Sequence, residues 1–479
     1  MKITFKILLT LFTLAVLFAQ CEKEPELVDI PDDAFLNALI KLGVDIDGDG
    51  SISAVESEAV LELDVSCDNE SEEDFESNLI WNLTGIEAFI NLEFLDCSIN
   101  HLTDLDISSN TKLEYLKCDN NLLTSLDVSN NSALTYLECG HNEIASLDVS
   151  SNSALTYLEC CHNEIASLDV SYNTALTYLA CCFNEIASLD VSHNTELRFL
   201  DCAFIPISSL DISNNNALEE LHCIRNQLSN LDVSNNPALI RLRCLSNEIT
   251  SLDVSNNPAL AHLQCSANPI SSLDVTSNNE LRILECSYTL LTSLNVSNNT
   301  ALEYLNVWGL ELNSLDVSNN TALVELVCTD NKLSSLDVSK NTTLEELYCE
   351  RNQLSSLDVS YNIELNALGC SENQLTSLDV SSNLALTMLW LPDNQLTNLD
   401  ISNNTALEFF NCDGNLLTSL DLSNNTAIGT AYSVFPVLYL RNMPSLGEVC
   451  VWTMPFPPDG FDIDTTGSPN IYFTTGCSE

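Results

Sequence analysis

Leu113–Ala133 reads LEYLKCDNNLLTSLDVSNNSA, and its 21-residue frame recurs without insertion or deletion from Leu92 to Leu407, with Ile428 continuing the series. That makes sixteen turns over residues 92–427, 336 of 479 residues. With Leu113 as position 0, apolar residues fall at 0, 3, 5, 10, 13 and 15, and Asn at 8 and 18. Each turn is therefore two half-turns of one design, Leu-x-x-Leu-x-Cys-x-x-Asn and Leu-x-x-Leu-Asp-Val-Ser-x-Asn. A fixed period of this size means a solenoid in which each turn touches its neighbours. Within each half, apolar and polar residues alternate, the period of a strand with one buried face. The reading predicts a mainly β fold: about sixteen turns, two short parallel strands per turn, and two sheets across a thin core. With strands about 4.8 Å apart the repeats span roughly 77 Å, as a nearly straight, twisted rod with caps at both ends.

Asn stands at position 18 in all sixteen turns and at position 8 in thirteen, with Ile205, Thr289 and Leu310 the exceptions. Buried bends strand backbone polar groups. Amide side chains both donate and accept, so stacked Asn columns can satisfy those groups. Cys fills position 5 in fourteen turns; Val307 and Leu391 replace it in the others, so the site wants a small hydrophobe. The spacing matches no zinc pattern.

These motifs resemble leucine-rich repeat proteins, in particular the 21-residue bacterial class built from Leu-x-x-Leu-x-Cys-x-x-Asn-x-Leu and a Leu-Asp-Val-Ser half. The resemblance covers about 70% of the chain. It implies a secreted or surface-attached, non-catalytic binding module of a Gram-negative bacterium, and it transfers no ligand.

Residues 1–20 read MKITFKILLTLFTLAVLFAQ: two lysines, an apolar run from Ile7 to Ala19, then Cys21. That is a signal peptide, too short for a membrane span. It resembles a lipoprotein signal with Cys21 as the lipidated residue, although Gln20 stands where a small residue is usual. The acidic stretch after Cys21 resembles a signal for the outer face of the outer membrane. Plain secretion after cleavage at Ala19 is the other reading. Any membrane association runs through this anchor alone.

Residues 21–91 form an N-terminal cap. It holds a capped helix over 33–43 and a twelve-residue calcium loop with Asp45, Asp47, Asp49, Ser51, Ser53 and Glu56 at the ligand positions. A single loop followed by a strand pattern suggests a structural calcium ion or a degenerate acidic turn, not a paired sensor. Residues 67–78 are an acidic insertion, and 79–91 a degenerate entry turn. Residues 428–479 form the C-terminal cap, where Cys450 and Cys477 are expected to pair in an exported protein.

The net charge is −54, with 15 basic and 69 acidic residues, which excludes nucleic acid and bare anionic membrane as partners. Position 14 is Asp in fifteen turns, Asp106 to Asp421, with Asn295 the exception; position 16 is Ser except at Thr276. This outward ladder serves solubility or dresses the rod with divalent cations.

Positions 2, 4 and 6 point outward beside the buried Leu and Cys, and they vary. They mark the candidate binding face. Position 2 carries Phe94, Tyr115, Tyr136, Tyr157, Tyr178 and Phe199, then Tyr304 and Phe409; Trp308 and Trp390 join the same sheet. Exposed stacked rings suit a protein or glycan partner. Cys161 and Cys182 share position 6 in adjacent turns, close enough for a disulfide. His141 and His162, in one column of duplicated turns, read as surface residues. No catalytic motif stands above background. The sequence thus points to a non-enzymatic binding protein for adhesion, capture or scaffolding, with an acidic, cation-binding spacer as the alternative.

Overall fold

The computed structural model describes residues 26–67, 78–429, 438–458 and 461–476. Its central element is a nineteen-stranded parallel sheet. Each of the sixteen repeats contributes a three-residue strand at positions 2–4, from Phe94–Asp96 to Phe409–Asn411. Neighbouring strands pair in register at the 21-residue offset, as in Phe94↔Tyr115 and Tyr115↔Tyr136. The ladder runs past the repeats at both ends. Glu62–Asp64 pairs with Phe94–Asp96 before them, and Leu438–Tyr439 and Ile463–Asp464 follow after.

The leucines of positions 0 and 3 and the position-5 thiols form one continuous core, with Leu113, Leu116 and Cys118 all at 0% exposure. Burial pushes thiols such as Cys97, Cys118 and Cys139 well above the usual cysteine range. They pack as small hydrophobes and carry no thiolate chemistry at neutral pH.

The two Asn columns hold successive turns together differently. At position 8, Asn121 Nδ2 donates to Cys97 O of the preceding turn (3.0 Å) and to Cys118 O of its own (3.1 Å), while its Oδ1 accepts from Leu102 N (2.9 Å). At position 18 the amide only donates. Asn131 Nδ2 reaches Ile107 O (3.0 Å) and Asn110 O (2.9 Å), and Oδ1 of all sixteen such residues meets no donor. The expected two-way amide is therefore realised at one bend and half-realised at the other.

Position 7 is left-handed in every turn, with φ between +50° and +68° from Ile99 to Gly414, and only Gly309 and Gly414 are glycines there. Such a conformation costs a non-glycine residue about 1 kcal/mol or more. In thirteen turns the bend is held on both sides; where Ile205, Thr289 or Leu310 replaces the Asn, the backbone bond to the next turn remains, as from Phe204 N to Ile224 O (2.7 Å). The position-8 amide clasps the carbonyls before it, and the position-7 N–H bonds the next turn, as Asn120 N does to Gly140 O (3.0 Å).

The second side differs from the expected strand in most turns. It runs extended, but a ladder forms only between Leu126–Asp127 and Leu147–Asp148, and near the C-terminus among Ser419–Asp421, Glu448–Cys450 and Tyr472–Thr474. Position 14 closes a local turn on this side. The Asp carboxylate accepts the Ser N–H two residues on, at 2.9 Å in Asp127–Ser129 and Asp148–Ser150. Asn295 makes the same bond to Ser297 N (3.1 Å), and Thr276 takes the place of Ser against Asp274 (2.9 Å). The bond is made in paired and unpaired turns alike, Asp127, Asp148 and Asp421 included, so it shapes the end of this stretch without deciding where a ladder forms.

Helix Asp33–Leu42 covers the first turn with Phe35 and Leu39. Asp32 caps it through Oδ1 and holds Trp81 N and Asn82 N through Oδ2 (2.9 and 3.0 Å), which ties the helix to the entry turn. At the other end Trp452, Phe456, Phe461 and Phe473 close the core with ring centroids 4.9–5.8 Å apart. Cys450 is disulfide-bonded; Cys477, its expected partner, lies outside the described residues, as does Cys21.

Asn257→Ala would remove one of two hydrogen bonds from each of Val233 O and Asn236 O, made by the amide at 3.0 and 2.8 Å, and leave the backbone bonds from Asn236 N and Leu239 N. The expected loss is about 1–3 kcal/mol in guanidinium unfolding. The exposed neighbour Asn256→Ala should stay within about 0.5 kcal/mol. Equal effects would contradict the ladder's role.

Candidate functional site

The outward columns of the long sheet divide into three zones. The first is the aromatic column. Phe94, Tyr115, Tyr136, Tyr157, Tyr178 and Phe199 stack ring on ring with centroids 4.0–4.5 Å apart and planes within 16°. In-register pairing at the strand spacing imposes this: identical positions must superpose. The rings are half-buried because each covers the next, so the exposed ring faces expected from sequence are corrected to exposed ring edges and hydroxyls. His222 closes the far end edge-on against Phe199 (5.3 Å).

Charged groups flank the column. Lys117 pairs with Glu138 at 2.8 Å, and the Tyr136 hydroxyl donates to Glu138. Burial, then these bonds, hold the Tyr136 phenol far above its ordinary range. Glu159 accepts from Cys161 N (2.9 Å) and Gly140 N (3.2 Å). Burial, with Glu138 adding repulsion, nevertheless outweighs those bonds and lifts its carboxyl to about 7. Beside it, Cys161 and Cys182 form a disulfide with Cα atoms 4.6 Å apart, within the range such bonds require.

The second zone, turns 218–280, is a polar network. Arg241 meets Glu220 (2.8 Å) and His262 (3.0 Å), and Arg243 meets Gln264 (2.6 Å). It separates the column from the third zone, so the ten aromatic residues expected on one face are not one cluster. There Trp390 stacks on Phe409 at 5.3 Å, Trp308 tilts against Tyr288 at 5.0 Å, and Tyr304 stands alone on its strand between Ile283 and Glu325.

Sequence reasoning missed a second column. His141, His162, Phe183 and Phe204 stack at 4.1–4.2 Å, and Arg225 lies 5.4 Å over Phe204. All are at position 7, where the left-handed backbone turns them into register. Strand alternation alone gives no direction beyond the strand's end, so only the shared column number signalled it.

In the N-terminal loop, one oxygen each of Asp45, Asp47 and Asp49 converges within 4.8 Å, a donor set suited to a hard cation. Glu56 is not in that group. Its carboxylate accepts from Ile46 N (2.8 Å), Ser53 N (2.9 Å) and Ser53 Oγ (2.8 Å), closing a capping box. Ser53 thus serves the cap, and Ser51 N donates to Asp49 (2.8 Å). Among the described residues the Asp ladder of the second side forms no comparable three-carboxylate group.

The InlJ functional domain from Listeria monocytogenes, described as including a cysteine ladder, matches with 36% identity and a TM-score of 0.73, covering 78% of this chain and 82% of that one. The chain belongs to the leucine-rich repeat proteins. This leucine-rich repeat protein also shares its fold with LIC12759 from Leptospira interrogans (22% identity, TM-score 0.62, covering 76% and 92%) and YopM from Yersinia enterocolitica (21%, 0.60, 87% and 92%). No family model and no curated protein matches it.

A carboxyl raised in the fold binds its proton more tightly there than in the unfolded chain, so Glu159 lowers stability as pH rises from about 4.5 through about 7. Glu159→Gln should therefore stabilise the protein at pH 8, by at most roughly 3 kcal/mol, and have little effect at pH 4.5. Melting curves at the two pH values check this; an equal shift at both would refute it.

Proposed function

We propose that this protein is a non-catalytic, protein-binding repeat scaffold that engages its partner through the outward columns of the long sheet, with the Phe94–Phe199 column at the centre. One observation carries this reading. The hydrogen bonds that hold turn to turn run through backbone and buried Asn, so the six stacked aromatic residues are not needed to close the solenoid, yet they form a rigid, pre-ordered strip of edges and hydroxyls. Such a strip offers contact area at little entropy cost, as protein hot spots do. A sugar would stack on ring faces, and these faces are already covered, which favours a protein over a glycan. The Arabidopsis receptor kinase ectodomain GASSHO1/SCHENGEN3, in complex with CASPARIAN STRIP INTEGRITY FACTOR 2, is a distant example of this fold (18% identity, TM-score 0.64) with a bound factor.

The reading extends to location and metal. The N-terminal segment fits an exported lipoprotein anchored through Cys21 at the cell surface, and Asp45, Asp47 and Asp49 would hold a structural calcium ion that stiffens the first turn. The spacer reading is weaker, because each ladder Asp already spends an oxygen on its Ser N–H.

Cross-linking capture from living cells and their surroundings tests the face. Tyr136, Tyr157 and Tyr178 changed together to Ala should abolish capture of a partner seen with the parent, while Asp127, Asp148 and Asp169 changed to Asn should not. The reverse pattern would support the spacer. Millimolar calcium should raise the melting temperature of the parent and not of Asp45→Ala/Asp49→Ala; no shift in the parent would leave the loop an acidic turn.

A further inference from the structure

The third zone of the sheet contains a depression of about 430 Å³, lined by Trp308, Tyr348, Glu350, Arg351, Glu372 and Trp390 among others. Gly369 lies beneath two of its walls, Tyr348 and Glu350. The position-4 column there runs Val327, Tyr348, Gly369, Trp390, so the column itself offers no side chain between the two large rings, and the Glu350 carboxylate lies over the glycine instead. Gly369 is not among the residues with positive φ, so the backbone does not demand glycine. What glycine supplies is room. A Cβ there would run into the Glu350 carboxylate and approach Tyr348 Cδ1 to 3.1 Å.

The charges around the notch are unbalanced. Nearby cations have partners: Lys332 pairs with Glu311 (3.0 Å), and Arg351 with Glu372 (2.9 Å) and Asp330 (3.8 Å). Among the described residues no cation pairs with Glu325, Glu346 or Glu350. Glu350 is positioned by Thr329 Oγ1 (2.6 Å), and Glu346 by the Tyr348 hydroxyl (2.8 Å). Burial and then repulsion from Glu346 raise the Glu325 carboxyl. The Trp308 indole N–H is buried without an acceptor.

We propose that this notch is a subsite for a cationic side chain, arginine or lysine, presented by an extended segment of the protein partner. Tyr348 and Trp390 supply π faces or edges for the cation, and Glu350 supplies the carboxylate. Attraction between this acidic face and a basic segment is screened by salt. The proposal deepens the protein-binding reading above by naming the partner's chemistry at one place on the same sheet.

The test is calorimetric titration of the whole protein with the peptide acetyl-Gly-Gly-Arg-Gly-Gly-amide and its citrulline analogue, which keeps the shape and drops the charge. The arginine peptide should bind saturably, with a dissociation constant on the order of 1 mM or below, and the citrulline peptide at least tenfold more weakly. Glu350→Gln and Trp390→Ala should each cost at least tenfold, and Gly369→Leu, which displaces the Glu350 carboxylate, should abolish binding. The triple Tyr→Ala change in the distant column should leave it intact. Absence of saturable binding, equal binding of the two peptides, or unchanged binding by Glu350→Gln would overturn the subsite. Capture that depends on the Tyr column would still stand in that case. Peptide binding that survives while capture ignores the Tyr column would overturn the column and keep the notch.

Discussion

The side-chain amide that reaches back one turn is the interaction on which the rest depends. A solenoid turn has no intrinsic reason to bend where it does, since each bend buries carbonyls that water satisfied in the unfolded chain. Asn152 donating to Val128 O and Asn131 O, at 3.0 and 2.9 Å, adds a second bond to carbonyls that also accept Asn131 N and Leu134 N, and ties one turn to the next. The same residue type at position 8 clasps the other bend in thirteen turns, where residues as unsuited as Phe183 and Arg225 sit in the left-handed region, at φ of +52° and +53°. The strict 21-residue period follows: one inserted residue would put an amide opposite the wrong carbonyl.

That constraint divides the surface. On the second side the Asp of position 14 is bound to the local backbone, and its regularity reflects this duty. Hydrogen bonding from Ser129 and Ser150 holds the exposed Asp127 and Asp148 below the ordinary carboxylate range. On the first side, positions 2, 4 and 6 make no such obligatory bond. Chemistry there changes from rings to an arginine network to an aromatic notch along a single sheet, while the backbone beneath stays in register from Glu62 to Asp464.

Much of this was legible in the residues. Period, apolar alternation and the interchange of Cys with Val307 and Leu391 were enough for the parallel solenoid and its buried thiols. Other features were hidden for physical reasons. The left-handed bend carries His, Phe, Arg and Ser, residue types that do not announce positive φ. The absence of a regular second ladder in most turns is not marked in Leu-Asp-Val, which recurs in paired and unpaired turns alike. The face-to-face packing of Tyr136 on Tyr157 needs the strand spacing as well as the column. The last two strands of the long sheet escaped the period because Phe410 pairs with Leu438 at an offset of 28, not 21. In the calcium loop the three aspartates converge as their spacing implies, whereas the side chain of Glu56 serves the following helix.

The central claim is that buried amides carry the architecture and the outward first-strand columns are free to carry recognition. Saturation substitution of turns 134–196, displayed on cells and sorted for protease resistance, tests it directly. The account predicts that nearly every change at Asn142, Asn152, Asn163 and Asn173 destabilises, while polar and apolar residues alike are tolerated at Tyr136, Glu138 and Tyr157. Equal intolerance at the outward positions would mean that the ring column is part of the scaffold, and would contradict the account.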